Sequence, residues 1–141
     1  MPGVYSCVPV PTVRGGGTSA AVPRLCAVRG ATTVEADDAD AIRAGTAELV
    51  SEVLRRNALH IDDIVSVVFT ATPDLTADFP AAAARTVGLS GTPLLCAQEI
   101  PVSGAVERCI RVLIHCYLSN GCRARHVYLH GARQLRLDLP E

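Results

Sequence analysis

An α+β fold is the class that the sequence predicts: a mixed five-stranded β-sheet with one long helix and short helices on one face. About five segments of strand composition are interrupted by one long and one or two short helical segments, a pattern that suits helices packed on a mixed sheet. The 141 residues fit one domain, and an aromatic content of only 4% makes its core aliphatic. Because helices on one face leave the other face uncovered, we expect an oligomer.

The first half of this domain is predicted to hold a strand and the long helix. A short apolar run at residues 25–29 ends at Gly30 and suits the first strand. Asp37 and Asp38 then supply N-cap and first-turn carboxylates for a helix that ends near Asn57. The apolar face of this helix, at helical spacing, is formed by Ile42, Leu49, Val53 and Leu54.

Three more strands and a short helix are predicted in the second half. Residues 64–70 are β-branched and bounded by turn residues, residues 94–99 form a third strand, and residues 126–129 form the last one. A helix begins at Pro80 and ends by residue 87. Residues 109–117 fit either a helix or a buried strand, and periodicity alone does not decide between them.

Charge and cysteine usage exclude several classes of protein. The 13 basic and 14 acidic residues nearly cancel and form no basic stripe, so neither nucleic acid nor a membrane surface is an expected partner. No apolar run is long enough to span a membrane. The six cysteines have no repeated spacing, and several lie in apolar stretches that suit free thiols, so we predict a cytoplasmic location.

Residues 1–24 differ in composition from the rest of the chain. They contain no acidic residue, four prolines and a run of three glycines. They lack the basic start and apolar stretch of a secretory signal. We interpret them as a disordered extension that precedes a folded domain in residues 25–141.

Five sequence blocks in one order carry a family resemblance. They are Val28-Arg-Gly-Ala-Thr-Thr-Val-Glu35, Phe69-Thr-Ala-Thr-Pro-Asp-Leu-Thr-Ala-Asp-Phe-Pro-Ala81, Cys96-Ala-Gln-Glu99, Cys109-Ile-Arg111 and His126-Val-Tyr-Leu129. Over residues 25–138 the chain resembles the monofunctional chorismate mutases of the AroH class. That resemblance implies a strand at residues 109–117 and a homotrimer of pseudo-α/β-barrel form, with active sites between subunits. It also implies an isomerase that converts chorismate to prephenate on the shikimate pathway to phenylalanine and tyrosine.

The reaction implied by the resemblance is a unimolecular Claisen rearrangement of a small dianion. It requires no cofactor, metal or general base, only a site that holds the folded substrate and stabilises charge on the breaking ether oxygen. The resemblance assigns that oxygen to Arg111, whose guanidinium stays charged and can serve two oxygens. It places Glu99 at the ring hydroxyl, where a carboxylate accepts a hydrogen bond. Both are expected to be the catalytic residues.

The resemblance also implies a set of substrate contacts. It implies that Arg29 and Tyr128 bind carboxylates of the substrate and that Arg85 is a cation at the entrance. The C-terminal segment would close the site. The remaining contacts are an apolar wall and a thiol near the ring hydroxyl. The full predicted set is Arg29, Phe79, Ala81, Arg85, Leu94, Leu95, Cys96, Tyr128, Leu135 and Arg136. Three positions depart from the family pattern, namely Ala82 for lysine, Leu95 for threonine and Leu137 for proline.

Three other functions are alternatives to this one. Cys116, Cys122, His126 and His130 are zinc-type ligands in a short stretch, but no Cys-x-x-Cys pair accompanies them, so no metal is predicted. A trimeric relative that binds small molecules without catalysis is the alternative of the same fold. Acid–base catalysis is disfavoured because the paired aspartates suit helix caps and no His–carboxylate motif stands out.

Overall fold

The computed structural model describes residues 22–119 and 121–138 of the chain. Within these residues the elements alternate between strands and helices along the chain. The strands are β1 (Arg24–Thr33), β2 (Ile64–Ala71), β3 (Leu94–Gln98), β4 (Cys109–Leu118) and β5 (Val127–Tyr128). The α-helices are α1 (Ala39–Arg56) and α2 (Pro80–Thr86), and 3₁₀ helices span Ile61–Asp63, Leu89–Gly91 and His130–Arg136. The α+β class and the mixed sheet predicted from the sequence are therefore confirmed.

The five strands of the described chain form one sheet in the order β3-β2-β4-β1-β5. Strand β4 lies in the middle and pairs antiparallel with both β1 and β2, whereas β3 and β5 pair parallel with β2 and β1. The segment at residues 109–117, which periodicity left undecided, is thus a central strand. Its apolar residues therefore pack as part of a β-strand and not of a helix.

Helix α1 begins as the sequence predicts, but only one of the two adjacent aspartates caps it. The Asp38 side chain accepts a hydrogen bond of 2.7 Å from the backbone N–H of Ala41. Asp37 instead accepts hydrogen bonds from the Thr76 N–H and hydroxyl and from the Ala77 N–H. The prediction that Asp37 serves α1 was wrong, because its carboxylate points to the loop that precedes α2.

Gly30 does not end the first strand, as the sequence suggested, but lies within β1. A Cβ at this position would lie 3.0 Å from both Leu49 Cδ1 and Val112 Cγ1. The glycine therefore permits α1 to pack closely on the sheet, and β1 continues past it to Thr33. The strand predicted at residues 126–129 is shorter than expected, because His130 has a φ of 50° and turns the chain into the last 3₁₀ helix.

The two faces of the sheet differ in their cover. On the face that we call the covered face, β-strand side chains such as Val28, Phe69, Val112 and Ile114 are buried against α1 in one apolar cluster. On the open face, the alternate residues of the same strands include Arg29 and several exposed side chains. The main core therefore lies on one side of the sheet. On the other side, among the described residues, only a small cluster of Ala31, Cys109 and Ala132 is buried, and the rest of that face is free to carry a site.

The structure bears only in part on two predictions, the domain boundary at residue 25 and the cytoplasmic location. Strand β1 begins at Arg24, one residue before the predicted domain boundary. Of the proposed extension, residues 22–23 have no regular secondary structure and residues 1–21 lie outside the described residues. No helix in the described ranges is long and apolar enough to cross a membrane. A cytoplasmic location stays a prediction.

Candidate active site

A cavity of about 360 Å³ opens on the uncovered face of the sheet. Its floor comes from two rows of cross-strand neighbours, Thr70–Arg111–Ala31–Tyr128 and Val68–Leu113–Arg29. The C-terminal 3₁₀ helix adds one side. The lining residues are Arg29, Gly30, Ala31, Val68, Thr70, Arg111, Val112, Leu113, Tyr128, Leu135 and Arg136. Of the predicted site residues, the structure thus brings five to one cavity.

Three arginines give this cavity its charge. Arg29 and Arg111 come from the adjacent strands β1 and β4, and Arg136 comes from the C-terminal 3₁₀ helix. Guanidinium groups stay charged and present planar forks that match carboxylates. Because apolar side chains such as Val68 and Leu113 line the same space, the cavity suits a small molecule with an apolar ring and more than one carboxylate.

A carboxylate–guanidinium pair lies at one end of the cavity. Glu99 Oε1 is 3.0 Å from Arg111 Nε, and the Thr70 hydroxyl donates a hydrogen bond of 2.6 Å to the same oxygen. The Glu99 side chain is only 15% exposed, whereas that of Arg111 is 45% exposed. Both catalytic residues predicted from the sequence therefore meet, although Glu99 follows β3 and Arg111 lies on β4.

The C-terminal 3₁₀ helix is held against the sheet by polar contacts. Its first residue, His130, lies 3.0 Å from the Glu48 carboxylate on α1, and the Gly131 N–H donates to the Thr33 hydroxyl. Farther along, Arg136 makes a two-point contact with Asp138, which lowers the pKa of Asp138 to about 2. The hydrogen bond to Asp138 also raises the pKa of Arg136, which lies at the edge of the cavity.

His126 supports the backbone beneath the cavity. Its Nδ1 accepts a hydrogen bond of 3.0 Å from the backbone N–H of Arg29. Burial, and then the nearby charges of Arg29 and Arg136, lower the pKa of His126. A neutral imidazole is needed for this contact because a protonated ring has no acceptor.

Several other predicted contacts lie away from the cavity of the single chain. Leu94 and Cys96 pack against the core on the covered face, and Leu95 is exposed on the open face beyond the cavity. Phe79, Ala81 and Arg85 belong to the start and body of α2. Their role in substrate binding stays a prediction.

The loop before α2 is tightly anchored although it ends in an exposed aromatic ring. Asp37 binds the backbone at Thr76 and Ala77, and Asp78 pairs with Arg43 of α1. Phe79 is nevertheless 71% exposed. The chain therefore fixes a large apolar side chain where no part of the described fold covers it.

Sequence reasoning missed six of the lining residues, of which Thr70 donates a hydrogen bond to Glu99. Val68 and Leu113 were detectable as alternate positions on strands, but the approach of Val68 to Leu113 depends on the register of β2 and β4. Thr70 faces Arg111 only because β2 pairs with β4 in the observed alignment. The zinc hypothesis finds no support in residues 22–119 and 121–138, where no three His, Cys, Asp or Glu side chains are grouped to hold a metal.

The cavity on the less covered face of the mixed sheet has the size and the arginines that suit a small, multiply charged anion. Comparison with protein families then identifies the chain more closely. Residues 25–139 match the family described as chorismate mutase type I, and the chain belongs to this family.

Similar proteins and a solved structure agree with that assignment. The chain is 46% identical over 114 residues to chorismate mutase AroH of Thermus thermophilus, which covers 79% of this chain and 93% of the relative. It is 40% identical over 114 residues to chorismate mutase AroH of Bacillus subtilis, covering 79% and 90%. A solved chorismate mutase from Clostridium thermocellum is similar with a TM-score of 0.72 and 47% identity, covering 77% of this chain and 98% of that one.

Proposed function

We propose that this protein is a chorismate mutase that converts chorismate to prephenate by a Claisen rearrangement, in the biosynthesis of phenylalanine and tyrosine. Membership of the chorismate mutase type I family is the observation that carries the proposal. The cavity supports it, since three guanidiniums line a partly apolar space and Glu99 pairs with one of them, Arg111. The reaction needs no cofactor, because the bonds rearrange within one molecule.

Arg111 is the residue to which we assign transition-state stabilisation. As the ether bond of chorismate breaks, negative charge grows on its oxygen, and a preorganised donor lowers the barrier by stabilising that charge. Glu99 Oε1 forms an ion pair with Arg111 Nε at 3.0 Å, and this contact restricts the guanidinium. We assign to Glu99 the second task of accepting a hydrogen bond from the ring hydroxyl of the substrate.

The other polar groups of the cavity hold the substrate in its folded conformation. Arg29 and Tyr128 bind carboxylates, and Arg136 with Leu135 covers the cavity from the C-terminal side. Supporting this assignment, all four line the same cavity as Arg111. Restricting a flexible substrate to the reactive geometry lowers the entropic part of the barrier, which matters most in a unimolecular reaction.

We further propose a homotrimer in which the open face is covered by neighbouring subunits. Large apolar side chains on or beside that face are exposed in the single chain, with Leu25 at 55%, Leu95 at 62% and Tyr117 at 46%. Exposed apolar patches of this kind suit interfaces. Phe79 and Ala81 of an adjoining subunit would then form the apolar wall, with Leu94, Cys96 and Arg85 as further contacts. Sedimentation equilibrium of the purified protein tests the assembly, and a stable monomer would contradict it.

The loss of the ultraviolet absorbance of chorismate tests the activity. Purified protein is mixed with chorismate without added cofactor and in the presence of a chelator, and prephenate is identified as the product. We expect enzyme-dependent conversion. A folded sample that binds chorismate, as judged by a raised melting temperature, but leaves it unchanged would instead favour the binding-only relative.

A further inference from the structure

We infer that Thr70 is a positioning residue for this active site. Its hydroxyl holds the carboxylate of Glu99, which in turn sets the direction of the Arg111 guanidinium. The inference rests on the proposed function, because the effect on turnover is defined for the conversion of chorismate.

The geometry links the three side chains in series. Thr70 and Arg111 are direct cross-strand partners on β2 and β4 and line the same cavity. The Thr70 hydroxyl donates to Glu99 Oε1 at 2.6 Å, and Arg111 Nε lies 3.0 Å from that oxygen. The Glu99 N–H also donates to the Ala71 carbonyl at 2.9 Å. Strand β2 therefore holds Glu99 at its backbone through Ala71 and at its carboxylate through Thr70.

The contact with Thr70 has a consequence for the guanidinium fork. A carboxylate next to an arginine tends to form two parallel hydrogen bonds that occupy two nitrogens of the fork. Because Thr70 and Arg111 Nε share one oxygen of Glu99, the carboxylate meets the guanidinium at Nε. In this proposal the terminal nitrogens of Arg111 are left for the substrate. Without the hydroxyl, Glu99 is free to rotate and take up a second nitrogen.

The Arg111 side chain depends on such polar contacts to keep one conformation. Its side chain is 45% exposed, so packing does little to immobilise it, and a long unpacked side chain has several rotamers available. A charged hydrogen-bond network can remove this freedom before the substrate binds. Thr70 is therefore expected to affect the transition state more than the binding of substrate.

Substitution of Thr70 tests the inference directly. In Thr70→Val the hydroxyl is replaced by a methyl group of similar shape, and we expect kcat to fall by roughly tenfold to a hundredfold with a smaller change in KM. Thr70→Ser keeps the hydroxyl and is expected to restore most of kcat. In a Glu99→Ala background, Thr70→Val should change kcat by less than about twofold, because its partner is gone.

Ser66→Ala is the matched control. Ser66 also lies on β2, and its hydroxyl is 3.0 Å from His115 Nδ1, away from Glu99. Loss of this hydroxyl is expected to leave kcat unchanged. An unchanged kcat in Thr70→Val would overturn the inference, and so would an equal loss of kcat in the wild-type and Glu99→Ala backgrounds.

Two measurements separate this inference from the proposed function. The wild-type protein is assayed first, and its failure to convert chorismate would remove the proposed function alone. Crystal structures of wild type and Thr70→Val then test the positioning role without any assay. If the Glu99 carboxylate keeps its contact with Arg111 Nε in the variant, the inference is wrong; if it rotates to a second nitrogen, the inference holds.

Discussion

The two faces of the sheet use the same strands for opposite purposes. Phe69 and Thr70 are neighbours in the chain, yet Phe69 is fully buried in the core whereas Thr70 contacts Glu99 at the cavity. On β4, the Val112 side chain packs in the core, whereas the Arg111 side chain is 45% exposed and pairs with Glu99. Because successive side chains of a strand point to opposite faces, one strand can stabilise the fold with one residue and serve chemistry with the next. Stability and activity should thus respond to different substitutions.

The largest effect on stability is expected from the covered face. Phe69→Ala removes a fully buried ring, and such a change lowers the free energy of unfolding by about 3–5 kcal/mol because of lost burial and the cavity left behind. Urea denaturation measures this loss. The kcat of molecules that remain folded should change little, and a kcat that falls as far as the stability would contradict the separation of the two faces.

The largest effect on activity is expected from the open face. Arg111→Ala removes the donor assigned to the ether oxygen, and loss of one such donor lowers kcat by roughly 10² to 10³. Its melting temperature should stay near that of the wild type, since the side chain is 45% exposed. Arg56→Ala on α1 removes a comparable cation away from the cavity and is the control. Near-normal turnover in Arg111→Ala would refute the proposed mechanism.

A smaller effect is expected at the start of α1. Asp38→Ala removes the side-chain acceptor for the Ala41 N–H and should lower the free energy of unfolding by about 1 kcal/mol. Asp38→Asn keeps an acceptor and serves as the control. Neither change should alter kcat, because the helix packs on the covered face. A drop in kcat for both variants would show that α1 influences the cavity.

The smallest effects are expected from pH. The pKa of His126 is lowered by burial and by nearby arginines, so below its ordinary value of about 6.5 the unfolded chain takes up a proton more readily than the folded one. The stability that His126 contributes is therefore complete above about pH 6.5 and is lost as the pH falls through its folded pKa. Urea titrations at several pH values measure the slope, and His126→Asn, which keeps an acceptor, should reduce it.

Turnover should vary little with pH around neutrality. The rearrangement uses no general base, and His126 is already neutral there, so its contact with the Arg29 N–H is intact. A pH profile of kcat/KM tests this. A sharp bell centred near neutrality would point to a titrating acid and base and would contradict the mechanism.

Much of the fold could be predicted from local patterns in the sequence. The apolar face of α1, the proline at the start of α2 and the β-branched run in β2 each give a local signal that the structure confirms. The predictions were wrong where contacts between residues far apart in the sequence determine the local structure. Gly30 was predicted to end a strand, because its close approach to Leu49 and Val112 arises from packing and leaves no signal in the local sequence. Asp37 was predicted to serve α1, because the loop that it binds is 39 to 40 residues away in the sequence.

The candidate site was predictable only in part, for the same reason. The family resemblance indicated Arg29, Arg111 and Tyr128, and the structure brings them to one cavity. No sequence pattern could place Thr70 opposite Arg111, because that pairing follows from the register of β2 and β4. Residues attributed to an adjoining subunit, such as Phe79, depend on an assembly that a single chain does not contain.

The position of β4 has a consequence for how the protein is made. Strands β1 and β2 both pair with β4 and lie on either side of it, yet β4 begins only at Cys109. During synthesis, the edges of β1 and β2 that pair with β4 therefore stay unpaired until most of the polypeptide has left the ribosome. Such long-range pairing slows folding and exposes edges to aggregation. Because Arg111 lies on that same strand, its ion pair with Glu99 can form only once β4 has joined β2.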